Sequence, residues 1–477
     1  MAFMTKEKMG VTQLSRWGIG PVILHERYSF FKEIYADQTV IVSVEIDGCS
    51  EDSSIYRFLH KFYTPDGVHC ATSEATGVWI DMMLRKMTTP PDDVVEAMNK
   101  YKTAETEVLS REDFKKFPFH PHNIDPAEFK ELTPISKLGE FGLIKHLTEQ
   151  FSLSNSSSEL GIGDDAAVIN PENKKVVLTT DVLAEGVHFN LGYVPLKHLG
   201  YKAVVVNLSD IAAMNATPTQ ILVSLAVSNR FPVEALEEIY SGIQAACSRY
   251  KIDLIGGDTT SSNAGLVMSI TAIGMENEEN IVKRSGAKPN DLLVVTGDLG
   301  GAYMGLQILE REHAVFLADP NMQPEMEGYD YILERQLKPE ARTDVKGMLE
   351  QLDIKPTSMI DISDGLASEI LHLSDQSAVG FRLYEEKIPM DSLTISTADE
   401  FNLNPVVTAL SGGEDYELLF TISPNDFDKI KNHPDFTIIG HAVEKEDGNF
   451  MVARGSNQLI ALTAQGWDAF LGNQQNE

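Results

Sequence analysis

Cysteine is scarce in these 477 residues: Cys49, Cys70 and Cys247 are scattered with no paired spacing. That excludes a disulfide framework and any zinc or iron–sulfur motif, and it fits a reducing, cytoplasmic setting. No apolar run is long enough to span a bilayer, and the opening MAFMTKEKMG carries no signal-peptide pattern. Positive charge is short too. Against 71 acidic residues stand 39 lysines and arginines, a formal net charge of −32, which argues against nucleic acid or an anionic membrane as partner. A phosphorylated small molecule stays admissible if metal ions mediate. The usual nucleotide signatures are also missing: there is no GxxxxGK[ST] and no protein-kinase loop set.

What is present is an ordinary folding composition, 43% apolar and 23% charged, over a length that suggests two to four domains. Residues 1–104 open with a helical stretch. Then come four apolar-alternating segments, GPVILHERYSFF, QTVIVSVEID, SSIYRFLHKFY and VHCATSEATGVWID. With TPDG as a hairpin turn between the last two, they read as an antiparallel meander of three or four strands, closed by the helix start TTPPDDVVEAMNKY. Residues 105–134 are polar, proline-dotted and aperiodic, as a linker is. From 135 onward helical and strand patterns alternate, giving an α/β subdomain over 135–282 and an α+β subdomain over 283–477.

The chemistry-bearing residues recur at element ends in this larger part. GIGDDAAV (161–168) has glycines suited to a close phosphate and aspartates that repel one, so it is an acidic surface turn, a failed nucleotide loop or a place where a cation sits between protein and phosphate. KKVVLTTD reads as a short buried strand ending in Thr179, Thr180 and Asp181. YKAVVVNLSDIAAMNATP reads as a helix with Asn207 and Asp210 on one face. IDLIGGDTT ends a strand in Gly257 and Asp258, SMIDISDGL another in Asp361, Ser363 and Asp364, and SGGEDYELLF carries Glu414 and Asp415 into a third. Each alone is a helix cap or an Asx-turn as readily as a site. The last five together, mostly flanked by Gly, Ser or Thr, point to a hard cation such as Mg²⁺ and to phosphoryl transfer. TGDLGGAYMG is glycine-rich but reads equally well as a strand-to-helix turn.

In order, LGEFGLIKHL, GIGDDAAV, TTDVLAEGVHF, KAVVVNLSDIAAMNATP, IGGDTT, KRSGAKPNDLLVVTGDLG, MIDISDGLASEI, ALSGGEDYELLFT and GWDAF resemble the thiamine-monophosphate kinase family over about residues 136–471. That family belongs to the superfamily of aminoimidazole-ribonucleotide synthetase. The resemblance implies that ATP and several Mg²⁺ ions phosphorylate thiamine monophosphate to thiamine diphosphate, in a homodimer. By motif, Asp165, Thr179, Thr180, Asp181, Asp210, Asp258, Asp361 and Asp364 would hold metal. Gly257, Arg284, Ser363 and Tyr240 would contact ATP, and His188, Glu414 and Trp467 the thiamine. Physical chemistry agrees: the acceptor is already an anionic oxygen, so positioning and charge neutralisation matter more than a general base. None of these residues is needed as acid or base.

Residues 1–104 resemble the later part of a hotdog-fold acyl-CoA thioesterase. The first strand and the Asp-bearing segment expected of that family are missing here, so a non-catalytic docking or dimer-stabilising module is expected, with a sequence cut short at its start as the alternative. The alternatives are an acyl-CoA thioesterase or acyl-binding activity in this segment, or another ATP-dependent synthetase of the same superfamily.

Overall fold

The computed structural model describes residues 11–34, 39–118, 132–319 and 322–464. Trp467 and residues 119–131 of the expected linker lie outside the described residues. Contacts divide the chain into two units, Met1–Phe129 and Lys130–Glu477. No described helix is long and apolar enough to cross a membrane.

In the first unit a short helix, α1 (Val11–Trp17), leads into β1 (Ile19–Phe30), β2 (Ile41–Cys49), β3 (Ile55–Tyr63) and β4 (His69–Asp81). These are the four alternating segments, and the Gly67 N–H donates to the Thr64 carbonyl at 2.9 Å in the TPDG turn. The pairing departs from a simple meander. β1 lies antiparallel to β4, not to β2, and β6 (Lys102–Val108) runs parallel to β2, giving the order β1-β4-β3-β2-β6 with a two-residue β5 (Lys86–Met87) beside β4. Residues 105–108, linker-like in composition, thus sit in a strand, and a 3-10 turn over Arg111–Lys116 follows. Helix α2 (Asp92–Asn99) starts after two prolines with Asp92 and Asp93 in its first turn, where the helix dipole favours negative charge. Its Val94, Ala97 and Met98 bury against Ile46, Tyr56, Phe58 and Trp79, a helix on one face of a mostly antiparallel sheet.

The second unit begins with α3 (Gly139–Thr148) and a small hairpin, β7 (Ser158–Leu160) with β8 (Val168–Ile169). A four-stranded sheet follows, built from β9 (Lys175–Ala184), β10 (Thr217–Val227), β11 (Asp253–Ser261) and β12 (Val267–Glu276) in the order β11-β10-β12-β9. Helices α4 (Leu196–Ala213) and α5 (Val233–Tyr250) share its core through Leu199, Val205 and Leu208 on one and Leu236, Ile239 and Ile243 on the other. They approach so closely that a Cβ on Gly242 would lie 1.9 Å from the Lys197 carbonyl oxygen, so only glycine fits there. β9 differs from the buried strand that its apolar run suggests. It continues to Ala184, forms a sheet edge and leaves Val176, Leu178 and Val182 exposed, because no described segment of this unit covers those side chains.

A seven-stranded sheet completes the unit, from β13 (Leu292–Thr296), β14 (Ser358–Asp361), β15 (Gly380–Tyr384), β16 (Leu418–Ile422), β17 (Phe436–Val443), β18 (Asn449–Val452) and β19 (Leu459–Ala461). Their order is β14-β16-β13-β17-β15-β18-β19. The glycine-rich TGDLGGAYMG is the turn from β13 into α6 (Gly301–Ala318), and α7 (Asp330–Leu337) packs on α6.

Candidate functional site

β9 and α4 fix the first acidic pair. The backbone N–H of Asp181 donates to Asn207 Oδ1 at 2.9 Å, and the Thr179 hydroxyl donates to Asp210 Oδ2 at 2.5 Å. Asn207 and Asp210, three residues apart on α4, therefore do face one partner. From the other half of the unit comes Asp361 at the end of β14, accepting from the Ser209 hydroxyl at 2.7 Å. Burial and then the nearby Asp210 push the Asp181 carboxyl up to about 6. The same two causes raise Asp361, which is 3% exposed. Burial likewise raises Asp364, while the charges of His372 and Arg284 pull it back down. These carboxylates share one cleft of about 1060 Å³, lined also by His188, Ser363 and Glu414. Among the described residues, six carboxylates and no lysine or arginine line it.

Glu414 enters on a strained turn. Gly413, Glu414 and Tyr416 all have positive φ, at 70°, 57° and 53°, a conformation that non-glycine residues hold only when their surroundings demand it. The Glu414 N–H donates to the Ser363 carbonyl at 2.7 Å, locking the two loops together. Its carboxylate takes Lys202 Nζ at 2.9 Å and Gln336 Nε2 at 2.8 Å. Asp415 does not join the site. It is 1% exposed and accepts the Gly300 N–H at 2.8 Å and the Ala302 N–H at 3.4 Å, so it caps α6. Burial, the largest influence on it, lifts its carboxyl to about 6. His188 lies at the cleft with Nδ1 accepting the Ala184 N–H at 3.1 Å; burial lowers its pKa and the Glu414 charge opposes that.

The remaining residues of the expected site lie elsewhere. Asp165 is exposed, its N–H donating to Asp164 Oδ1 at 2.8 Å, and Gly161 and Gly163 of that loop wall a smaller hollow with Phe151 and Leu254. Tyr240 is 4% exposed in the core, edge-on to Phe151, so the structure places it behind that hollow rather than at its surface. Gly257 and Asp258 sit on β11, the opposite edge of the sheet from Thr179, Thr180 and Asp181. In register, Asp181 pairs with Ile270, Ile270 with Val223 and Val223 with Gly257. Three strand spacings, ~14 Å along the sheet, therefore separate Asp181 from Gly257. Gly257 has φ 152°, and a Cβ there would lie 1.8 Å from the Val223 carbonyl oxygen, so β11 requires glycine at this point. Arg284 is exposed and outside the cleft lining, although its charge lowers Asp361 and Asp364. Among the described residues no three His, Cys, Asp or Glu side chains are close enough to form a ready metal centre.

Sequence reasoning missed several contributors. Lys202 is 7% exposed within an apolar helix, and a cation in such a run has to be paired, which was the available signal. Tyr416, buried at the cleft, is raised by burial and by Glu414, Asp361, Asp181 and Asp364. Glu369 accepts the Asp364 N–H at 3.0 Å, and burial lifts it to about 8.

Residues 163–275 match the family described as AIR synthase related protein, N-terminal domain, and residues 1–98 match the Thioesterase-like superfamily. The thiamine-monophosphate kinases of Bacillus subtilis and Escherichia coli K12 are 35% and 34% identical over 339 residues, 70% of this chain and 100% and 98% of theirs. A solved complex described as AaThiL with AMPPCP and TMP is 32% identical, with a TM-score of 0.54 over 72% of this chain and 99% of that one. The thiamine-monophosphate kinase of Stenotrophomonas maltophilia superposes with a TM-score of 0.55 at 28% identity, over 65% and 94% of the two chains.

Proposed function

The chain belongs to the thiamine-monophosphate kinase family, and on that premise we propose that its cleft brings the γ-phosphate of ATP against the phosphate of thiamine monophosphate, giving thiamine diphosphate. The observation that carries this reading is the meeting of Asp181 and Asp210 from one half of the unit with Asp361, Asp364 and Glu414 from the other. Two anions have to approach each other, so the chain's task is placement and charge control.

Asp165, Thr179, Thr180, Asp181, Asp210, Asp258, Asp361 and Asp364 would hold Mg²⁺. The donor set fits: these are hard oxygen ligands, and the raised carboxyls of Asp181 and Asp361 are ones that a neighbouring cation relieves. Bound Mg²⁺ supplies positive charge that offsets both phosphate chains. That no ready-made centre exists among the described side chains accords with an ion that binds through a few carboxylates, water and substrate phosphates. Asn207 and Ser209 hold the Asp181 backbone and the Asp361 carboxylate in place, so little reorganisation is left for the moment of transfer. Gly257, Arg284 and Ser363 serve ATP, whereas Tyr240, 4% exposed and behind Phe151, is too buried to touch it. His188, Glu414 and Trp467 serve the thiamine end.

A second copy completes this site. Asp258 and Asp181 occupy opposite edges of one sheet, too far apart to share an ion. The uncovered apolar side chains of β9, Val176, Leu178 and Val182, offer a surface on which a homodimer could form. Thiamine diphosphate formed from thiamine monophosphate, ATP and Mg²⁺ is the test, with and without EDTA. No product, or product indifferent to the chelator, overturns the reading.

A further inference from the structure

Beyond the aspartates, the cleft has a wall that the phosphoryl-transfer chemistry does not use. Tyr303, Leu306 and Glu310 lie at spacings of three and four along α6, and all three line the cleft from one helical face. His313, three residues further along that face, meets Tyr193 edge-on, with ring centroids 5.5 Å apart and planes at 66°. Tyr193 itself lines the cleft from the loop that follows β9. The loop is seated tightly on the helix: a Cβ on Gly192 would lie 2.6 Å from His313 Nε2. Both tyrosines are half-buried and Glu310 is exposed.

We propose that Tyr193, Tyr303 and Glu310 form the subsite that selects a flat organic cation, so that the positively charged ring of the acceptor is read by two aromatic faces and one carboxylate. This rests on the reading of the cleft as the place where thiamine monophosphate binds. Aromatic faces attract cations through their ring quadrupole, and the attraction grows as water is excluded. Glu310 acts on both rings: its charge, after burial, raises the phenols of Tyr193 and Tyr303. Glu414, assigned to the thiamine end as well, is held in place by Lys202 and Gln336, so Glu310 is the carboxylate of this wall without such a cation beside it. Among the described residues no lysine or arginine lines the cleft to compete with an incoming cation.

Full-length parent, Tyr303→Leu, Tyr303→Phe and Glu310→Gln are compared with two acceptors, thiamine monophosphate and a neutral isostere in which a thiophene ring replaces the thiazolium. Binding is measured by calorimetry and turnover by product formation. The parent is expected to prefer the cation. Tyr303→Leu and Glu310→Gln are expected to lower that preference about tenfold while KM for ATP holds, and Tyr303→Phe, which keeps the ring face, to retain it. Variants that keep the parent's preference, or that lose both acceptors equally, overturn the proposal. A parent that binds the cation selectively through these residues but forms no thiamine diphosphate overturns the functional reading and supports the subsite.

Discussion

Lys202, 7% exposed on α4, holds the Glu414 carboxylate at 2.9 Å, and this ion pair ties the helix of one half of the unit to the strained turn of the other. Lys202 also donates to the Gln336 carbonyl at 3.1 Å, while Gln336 Nε2 reaches the second Glu414 oxygen. One buried cation thus sets the position of a residue that lines the cleft.

Lys202→Met keeps the length of the side chain and removes its charge. It leaves Glu414 with only Gln336 and the Gln336 carbonyl without its donor, so the expected loss is about 1–3 kcal/mol of stability, seen as a lower thermal midpoint. KM for thiamine monophosphate rises as the turn loosens. The double variant Lys202→Met/Glu414→Gln is expected to lose less than the sum of the singles. Strict additivity in thermal unfolding would show that the pair does not couple the halves.

Much of the site was legible because local periodicity carries it. The three-residue spacing of Asn207 and Asp210 puts both on the α4 face toward β9, and the structure uses both there. Turn chemistry located Ser363, Asp364 and Glu414 correctly at element ends. What periodicity does not encode is which edges become neighbours. β1 and β4 pair across thirty-eight intervening residues (31–68), and nothing in either strand alone favours that over the adjacent β2. Likewise, the similar-looking TTD and GGD strand segments lie on opposite edges of one sheet. Asp415 shows a different limit: beside Glu414 it reads as a site residue, but alternation along the turn sends it inward to the N-terminus of α6, where its carboxylate satisfies backbone donors.

Asp181 predicts a pH signature. Its folded carboxyl keeps a proton to about 6, whereas the ordinary value is 3.8. Between those values the folded state binds more protons than the unfolded one, so metal-free stability falls as pH rises and the loss is complete above the folded value. Asp181→Asn removes that penalty. In metal-free protein the variant should match the parent near pH 4 and melt a few degrees higher near pH 7, while losing product formation. Differential scanning calorimetry across this range checks it. A variant less stable than the parent near neutral pH contradicts the assignment of the shift to burial and Asp210.

The opposite-edge placement of Asp181 and Asp258 predicts complementation between damaged subunits. In the proposed homodimer, Asp181→Asn and Asp258→Asn each remove one half of a shared site, so each alone is expected to be inactive. Co-expressed, they form mixed dimers in which one site inherits both substitutions and the other inherits neither. With random pairing, half of the dimers are mixed and each has one intact site, so activity returns to about a quarter of the parent value. Tagging the two subunits differently and purifying through both tags isolates the mixed species, in which activity should reach about half. If the doubly purified dimer is as inactive as its parents, both aspartates serve within one chain, and the sheet would have to bring its two edges together without a partner.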